Sequence, residues 1–140
     1  MRNIALFSVL TFAVSIASAQ QTPEDIIRSF FDALSNSNYA QAVKSMPLSN
    51  QLKTDSVFAD RTIENLRNAE DEKGEYCGYE LIKKEEVSPS FITYNYFIKY
   101  QDAPQKIQFV FYKPEDSWQL NKLNLAATAA RRNPRQRFRM

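Results

Sequence analysis

Tyr94, Tyr96 and Tyr100 stand at even spacings in "FITYNYFIKY", so in an extended chain all three hydroxyls leave one face. Hydroxyls in an apolar setting can hold an enolate oxygen while a carboxylate takes the proton, a cofactor-free isomerase or hydrolase chemistry. The matching carboxylate is harder to find. No Asp or Glu shares the tyrosine face, Asp32 falls on the polar side of a helix, and Glu80 on another strand has Ile82 as its same-face neighbour. Other chemistries are narrower still. The 140-residue chain has no histidine, one cysteine and two glycines. It therefore lacks a serine triad, a Cys/His pair, the commonest metal ligand, and the glycine-rich loops that cradle phosphates. No cofactor and no metal site is expected, and the acidic "AEDEKGE" has no calcium-loop spacing.

The elements that must position the tyrosines follow from periodicity. Thr22-Pro23-Glu24-Asp25 has a hydroxyl cap, a proline at the first helical position and early carboxylates. Ile26, Ile27, Phe30, Phe31 and Leu34 then form one apolar stripe. "SNSN" breaks this helix, and Tyr39, Ala42, Val43 and Met46 restart the period until Pro47 ends it. Residues 47–54 read as a connection. Asp55 is expected to cap a third helix that turns Val57, Phe58, Ile63 and Leu66 inward and ends in the charged turn around Gly74.

From Tyr76 the period becomes two. Four strands are expected, "YCGYELIKKEEV", "FITYNYFIKYQ", "QKIQFVFYK" and "SWQLNKLNL", with Ser88-Pro89, Asp102-Ala103-Pro104 and Pro114-Glu115-Asp116 as turns. Short links favour an antiparallel meander, and helices followed by strands define an α+β domain. Gly78 within the first strand implies a bulge or a close backbone approach, and the lone Cys77 is expected to be a small buried side chain. The dry sheet face carries Ile92, Tyr94, Tyr96, Ile98, Tyr100, Ile107, Phe109 and Phe111, with Trp118 and Leu120 receiving the first helix. The other face leaves Phe91, Phe97 and Tyr112 among polar neighbours, a surface suited to a homodimer.

Both chain ends differ from this domain. A short basic start, a mostly apolar run and Ala17-Ser18-Ala19 read as a signal peptide over residues 1–19, with the mature protein beginning at Gln20. The domain spans residues 20–126, and no transmembrane anchor is expected after cleavage. Residues 20–130 hold 12 Lys and Arg against 16 acids, while residues 131–140 hold five Arg and no acid. Residues 127–140 thus read as a basic, disordered tail, either solubilising or touching an anionic surface. Export to the periplasm or medium makes nucleic acid an unexpected partner.

The succession "IIRSFFDALSNSNYAQAVKSM", a third helix, and strands ending in "FVFYKPEDSWQLNKLNL" resembles the nuclear transport factor 2-like superfamily, over residues 22 to about 125. Asn38 stands where many members carry Asp, a change that keeps a helix cap. The resemblance implies a cone whose curved sheet wraps the helices, the fold shared with ketosteroid isomerase and polyketide cyclases. It also implies a pocket between the first helix and the concave face, to be lined by Phe31, Leu34, Tyr94, Tyr96, Tyr100, Phe109, Phe111 and Trp118. A dimer through the convex face, at Phe91, Phe97 and Tyr112, is implied with it. The fold serves enzymes and binding modules alike. The reading favoured is an exported, non-catalytic domain binding a small apolar or amphipathic ligand or a protein partner, with the Tyr–carboxylate enzyme as the alternative.

Overall fold

In the computed structural model, which describes residues 20–126, the chain runs α1 (Pro23–Ser35), α2 (Tyr39–Lys44), α3 (Asn50–Thr54), α4 (Phe58–Lys73), β1 (Tyr76–Ser88), β2 (Phe91–Tyr100), β3 (Pro104–Tyr112) and β4 (Gln119–Leu125). Residues 1–19, read above as a signal peptide, and residues 127–140, read as a basic tail, lie outside the described residues. Among those described, no helix is long and apolar enough to cross a membrane.

Helix α1 begins where its caps dictate. The Thr22 hydroxyl accepts from the Asp25 amide and the Asp25 carboxylate answers the Thr22 amide, a reciprocal box that satisfies orphan donors. Asn38 caps α2 by accepting from the Gln41 amide, so the amide does here what an Asp would do. The stretch 47–54 is more ordered than a connection: Leu48 bridges to Leu120 and Ser49 caps α3. Asp55 does not cap the long helix. Its carboxylate takes the Val57 amide in a local turn, the helix starts at Phe58, and Val57 is 48% exposed instead of inward. A side-chain bond to the second residue on has competed with the helical path.

The four strands form one antiparallel sheet in the order β1-β2-β3-β4. Helix α1 lies on its concave side. Ile26, Ile27, Phe30, Phe31 and Leu34 meet Ile92, Tyr94, Tyr96, Ile98, Tyr100, Ile107, Phe109 and Phe111, all buried, in one core with Leu66 and Leu120. Edge-on ring pairs, Phe30 with Phe109 and Tyr94 with Phe111, tie helix to sheet and strand to strand. Strand β1 carries register shifts after Tyr76, Leu81 and Glu86, which bend the long hairpin and give the sheet its curvature. The first of these shifts also corrects the expectation for Cys77. It falls in the bulge between the paired Tyr76 and Gly78, and its thiol is exposed, set toward the Glu75 carbonyl at 3.4 Å. Gly78 occupies φ +120°, a backbone state that side chains disfavour, so the glycine permits the bulge.

Candidate functional site

The sequence-derived pocket residues come together, and they come together as the interior. Phe31, Leu34, Tyr94, Tyr96, Tyr100, Phe109 and Phe111 are buried, and Trp118 packs half-buried against them under the Lys113 ammonium. Ring meets ring across this space, Phe31 touching Phe30, Tyr96 and Phe109 and stacking on Tyr79 at 3.9 Å between centroids. The residues that the resemblance places around a pocket thus pack ring against ring on the concave side.

At the open margin of this packing, a tyrosine does meet a carboxylate. The Tyr94 hydroxyl donates to Glu24 Oε1 at 2.5 Å, and Lys84 Nζ donates to the same oxygen at 2.9 Å. Glu24 belongs to the first turn of α1, and Lys84 faces Tyr94 across the β1–β2 ladder, its ammonium 5.4 Å from the ring centroid. Partial burial pushes the Glu24 carboxyl up, but the Lys84 and Tyr94 bonds outweigh it and hold it below its ordinary value. Burial first, and then the bond to Glu24, push the Tyr94 hydroxyl far above its ordinary value. A second pairing joins Tyr39 to Glu70, with Ser37 donating to the same carboxylate. Neither carboxylate was legible as a tyrosine partner, because Glu24 reads as a dipole charge and Glu70 as part of a solvated helix end. Only the three-dimensional crossing of α1 over β2 puts Glu24 beside Tyr94.

The convex face holds Phe91, Phe97 and Tyr112 at two separate ends. Phe91 and Tyr112 lie 6.4 Å apart at one end, while Phe97 sits under Lys106 at the other. Between them runs a ladder of amides: Gln108 donates to Asn95 at 3.1 Å and Asn124 donates to Gln108 at 2.8 Å. Beside Phe97 opens a shallow cleft of about 420 Å³ lined by Cys77, Glu80, Phe97, Lys99, Tyr100 and Pro104. Gly78 pairs with Lys99 of this lining, and a Cβ there would meet only the Lys99 side chain, at 3.5 Å. Phe97 and Pro104 supply apolar contact and Lys99 and Glu80 supply opposite charges, a lining suited to an amphipathic molecule.

The fold these elements define is the nuclear transport factor 2-like cone. The crystal structure of a Campylobacter jejuni protein whose suggested assignment is NTF2-like transpeptidase superposes with a TM-score of 0.55, at 15% identity, over 72% of this chain and 98% of that one. At that identity the likeness defines architecture and no activity. No family model and no curated protein matches the sequence.

Proposed function

We propose that the chain is an exported, non-catalytic binding module that takes a small amphipathic ligand, anionic at one end, in the cleft beside Phe97. The single observation that carries the reading is the location of space: the cone interior is closed by rings, and the cleft lies outside it. Lys99 lines that cleft and Lys106 covers the Phe97 ring, so two ammonium groups against the one carboxylate of Glu80 favour an anionic head, with the apolar part resting on Phe97 and Pro104.

The isomerase-like alternative has one observation in its favour, the Tyr94–Glu24 bond. Its protonation runs the wrong way for that chemistry. A general base works best with a pKa raised toward neutrality, yet Glu24 is held low by Lys84 and Tyr94. An oxyanion donor must offer its proton to substrate, yet Tyr94 gives it to Glu24. The triad acts as a clamp from α1 to the sheet.

Titration with anilinonaphthalene sulfonate, an anionic amphipathic probe, tests the binding reading. Saturable binding to the folded protein is expected, weakened about tenfold or more by Phe97→Ala and by Lys99→Glu, since each removes contact or charge worth at least about 1.4 kcal/mol. Binding that ignores both substitutions overturns the cleft. Turnover of a model enolisable ketone that disappears in Tyr94→Phe would overturn the non-catalytic reading itself.

A further inference from the structure

Strand β1 is an edge strand, paired to β2 on one side and, among the described residues, to no strand on the other. It is also the element that exposes most apolar surface: Leu81 is 48% exposed, Ile82 45% and Val87 65%. An edge with exposed aliphatic side chains is a template for a further strand, and proteins commonly limit such edges with charges, proline or bulges. On β1 the register shifts at Leu81/Lys83 and Glu86/Ser88 leave Lys83 to Glu86 as the regular run between them, and the charges of that run are of both signs. Lys83-Lys84-Glu85-Glu86 is neutral in sum, with Lys83 and Glu85 on the convex side, opposite Asn95 and Thr93, and Lys84 and Glu86 on the concave side, opposite Tyr94 and Ile92.

We propose that the free edge of β1 pairs antiparallel with the same edge of a second copy of this chain, about a two-fold axis normal to the sheet at Lys84. Side chains directly opposite in an antiparallel pair share a face, so the axis must pass through a residue and not between two. An axis at Lys84 places Lys83 of each copy opposite Glu85 of the other, giving two opposite-charge pairs on the convex side. The intrachain Lys83–Glu85 contact of 3.5 Å then becomes part of an alternating ring of four charges. The register shifts at Leu81/Lys83 and Glu86/Ser88 fall at the two ends of this paired run, which sets the exposed Leu81, Ile82 and Val87 at its margins. The two Lys84 ammonium groups meet at the axis, and each is already paired to its own Glu24 at 2.9 Å. Self-complementarity of this kind is the mark of an isologous interface. The convex face offers less, because the Asn95–Gln108–Asn124 amide ladder divides its aromatic residues. This contact goes beyond the ligand reading and does not depend on it.

Sedimentation velocity of the purified protein over a wide concentration range, with circular dichroism to verify folding, tests the contact. A dimer is expected. Lys83→Glu and Glu85→Lys should each weaken it about tenfold or more, since each turns both symmetry-related pairs repulsive. The double swap Lys83→Glu with Glu85→Lys should restore the dimer to within about threefold of the parent, because opposite charges face each other again. A chain that is monomeric at every concentration overturns the proposal. So does a dimer indifferent to the single swaps, or one that the double swap fails to restore. Dissociation by Phe97→Glu with the swaps silent would move the interface to the convex face. Loss of probe binding with the dimer intact would count against the cleft alone.

Discussion

Strands β1 and β2 are hydrogen-bonded neighbours of similar length, yet β2 buries every second residue along its whole run and β1 buries none. β2 is paired on both sides and β1 on one, but ladder bonds lie in the plane of the sheet and do not by themselves bury side chains. The difference is what lies over them. Helix α1 covers β2 and β3 with its apolar stripe, and touches β1 chiefly through the Phe31–Tyr79 stack and the Glu24–Lys84 bond. One strand thus belongs to the folding core, and its neighbour is held out as surface. Sequence reflects the division, since β2 alternates aromatics with polar residues while β1 carries four consecutive charges.

Large-to-small substitution should break the comparison most sharply. Phe109→Ala or Phe31→Ala removes a ring from a packed interior and is expected to cost about 3–5 kcal/mol, whereas Leu81→Ala on β1 should cost less than about 1 kcal/mol. Trp118→Ala should fall between, because that ring is only half-buried. Urea unfolding reads all four. Equal midpoints for Phe109→Ala and Leu81→Ala would show that β1 is as much a part of the core as β3.

Alkaline titration probes the same division through the tyrosines. Tyr76 is pushed up to about 12 by burial, with Tyr79 and Asp32 adding to it, and burial likewise raises Tyr94 and Tyr100 above the usual 10. Folded pKa values above the unfolded one mean stability that is complete below pH 10 and is lost as pH rises through the folded values. Absorbance of the tyrosinate should therefore show a subset of tyrosines that ionise only as the chain unfolds. Tyr94→Phe should reduce that subset and cost about 1.5–3 kcal/mol for a hydrogen bond to a charged group. Smooth ionisation of every tyrosine near pH 10, in a chain that stays folded, would mean the β2 face is open to water.

What could be read beforehand follows a physical line. Local rules were enough for α1, whose cap, proline and stripe all agree, and for the dry face of β2, where alternation is clean, and of β3, where it holds until Val110 is buried beside Phe109 and Phe111. They were enough for a bulge at Gly78. They failed at Asp55, where two local hydrogen-bonding options were available and a turn won over a cap, and at Cys77, whose exposure depends on where the bulge falls. The Glu24–Tyr94 and Glu70–Tyr39 pairs were illegible because each joins residues far apart in the chain across a helix crossing. The amphipathic cleft was illegible for a similar reason: it joins Cys77 and Glu80 of β1 to Phe97 and Lys99 of β2 and Pro104 of β3, and so needs the register of the strands.

The smallest expected effect concerns the bond that ties β1 to α1. Glu24 and Lys84 are both about half-exposed, so water and salt screen their attraction and the pair should contribute less than about 1 kcal/mol. A double-mutant cycle of Glu24→Gln and Lys84→Met isolates that coupling, which should vanish in molar salt. The pH dependence has a definite sign. The Glu24 carboxyl is held below its usual 4.5 in the folded chain, so its stabilisation is present above pH 4.5 and is lost as pH falls through the lowered value. Glu24→Gln should accordingly flatten the acid limb of the stability profile while leaving in place the part of the alkaline limb set by Tyr76 and Tyr100, whose shifts do not depend on Glu24. The side-chain amide that Glu24→Gln introduces still offers an oxygen to the Tyr94 hydroxyl, so the substitution removes charge and keeps an acceptor. Any large loss of stability in this variant would therefore show that β1 is anchored by charge, and that the strand now read as surface is held in place as firmly as the one beneath α1.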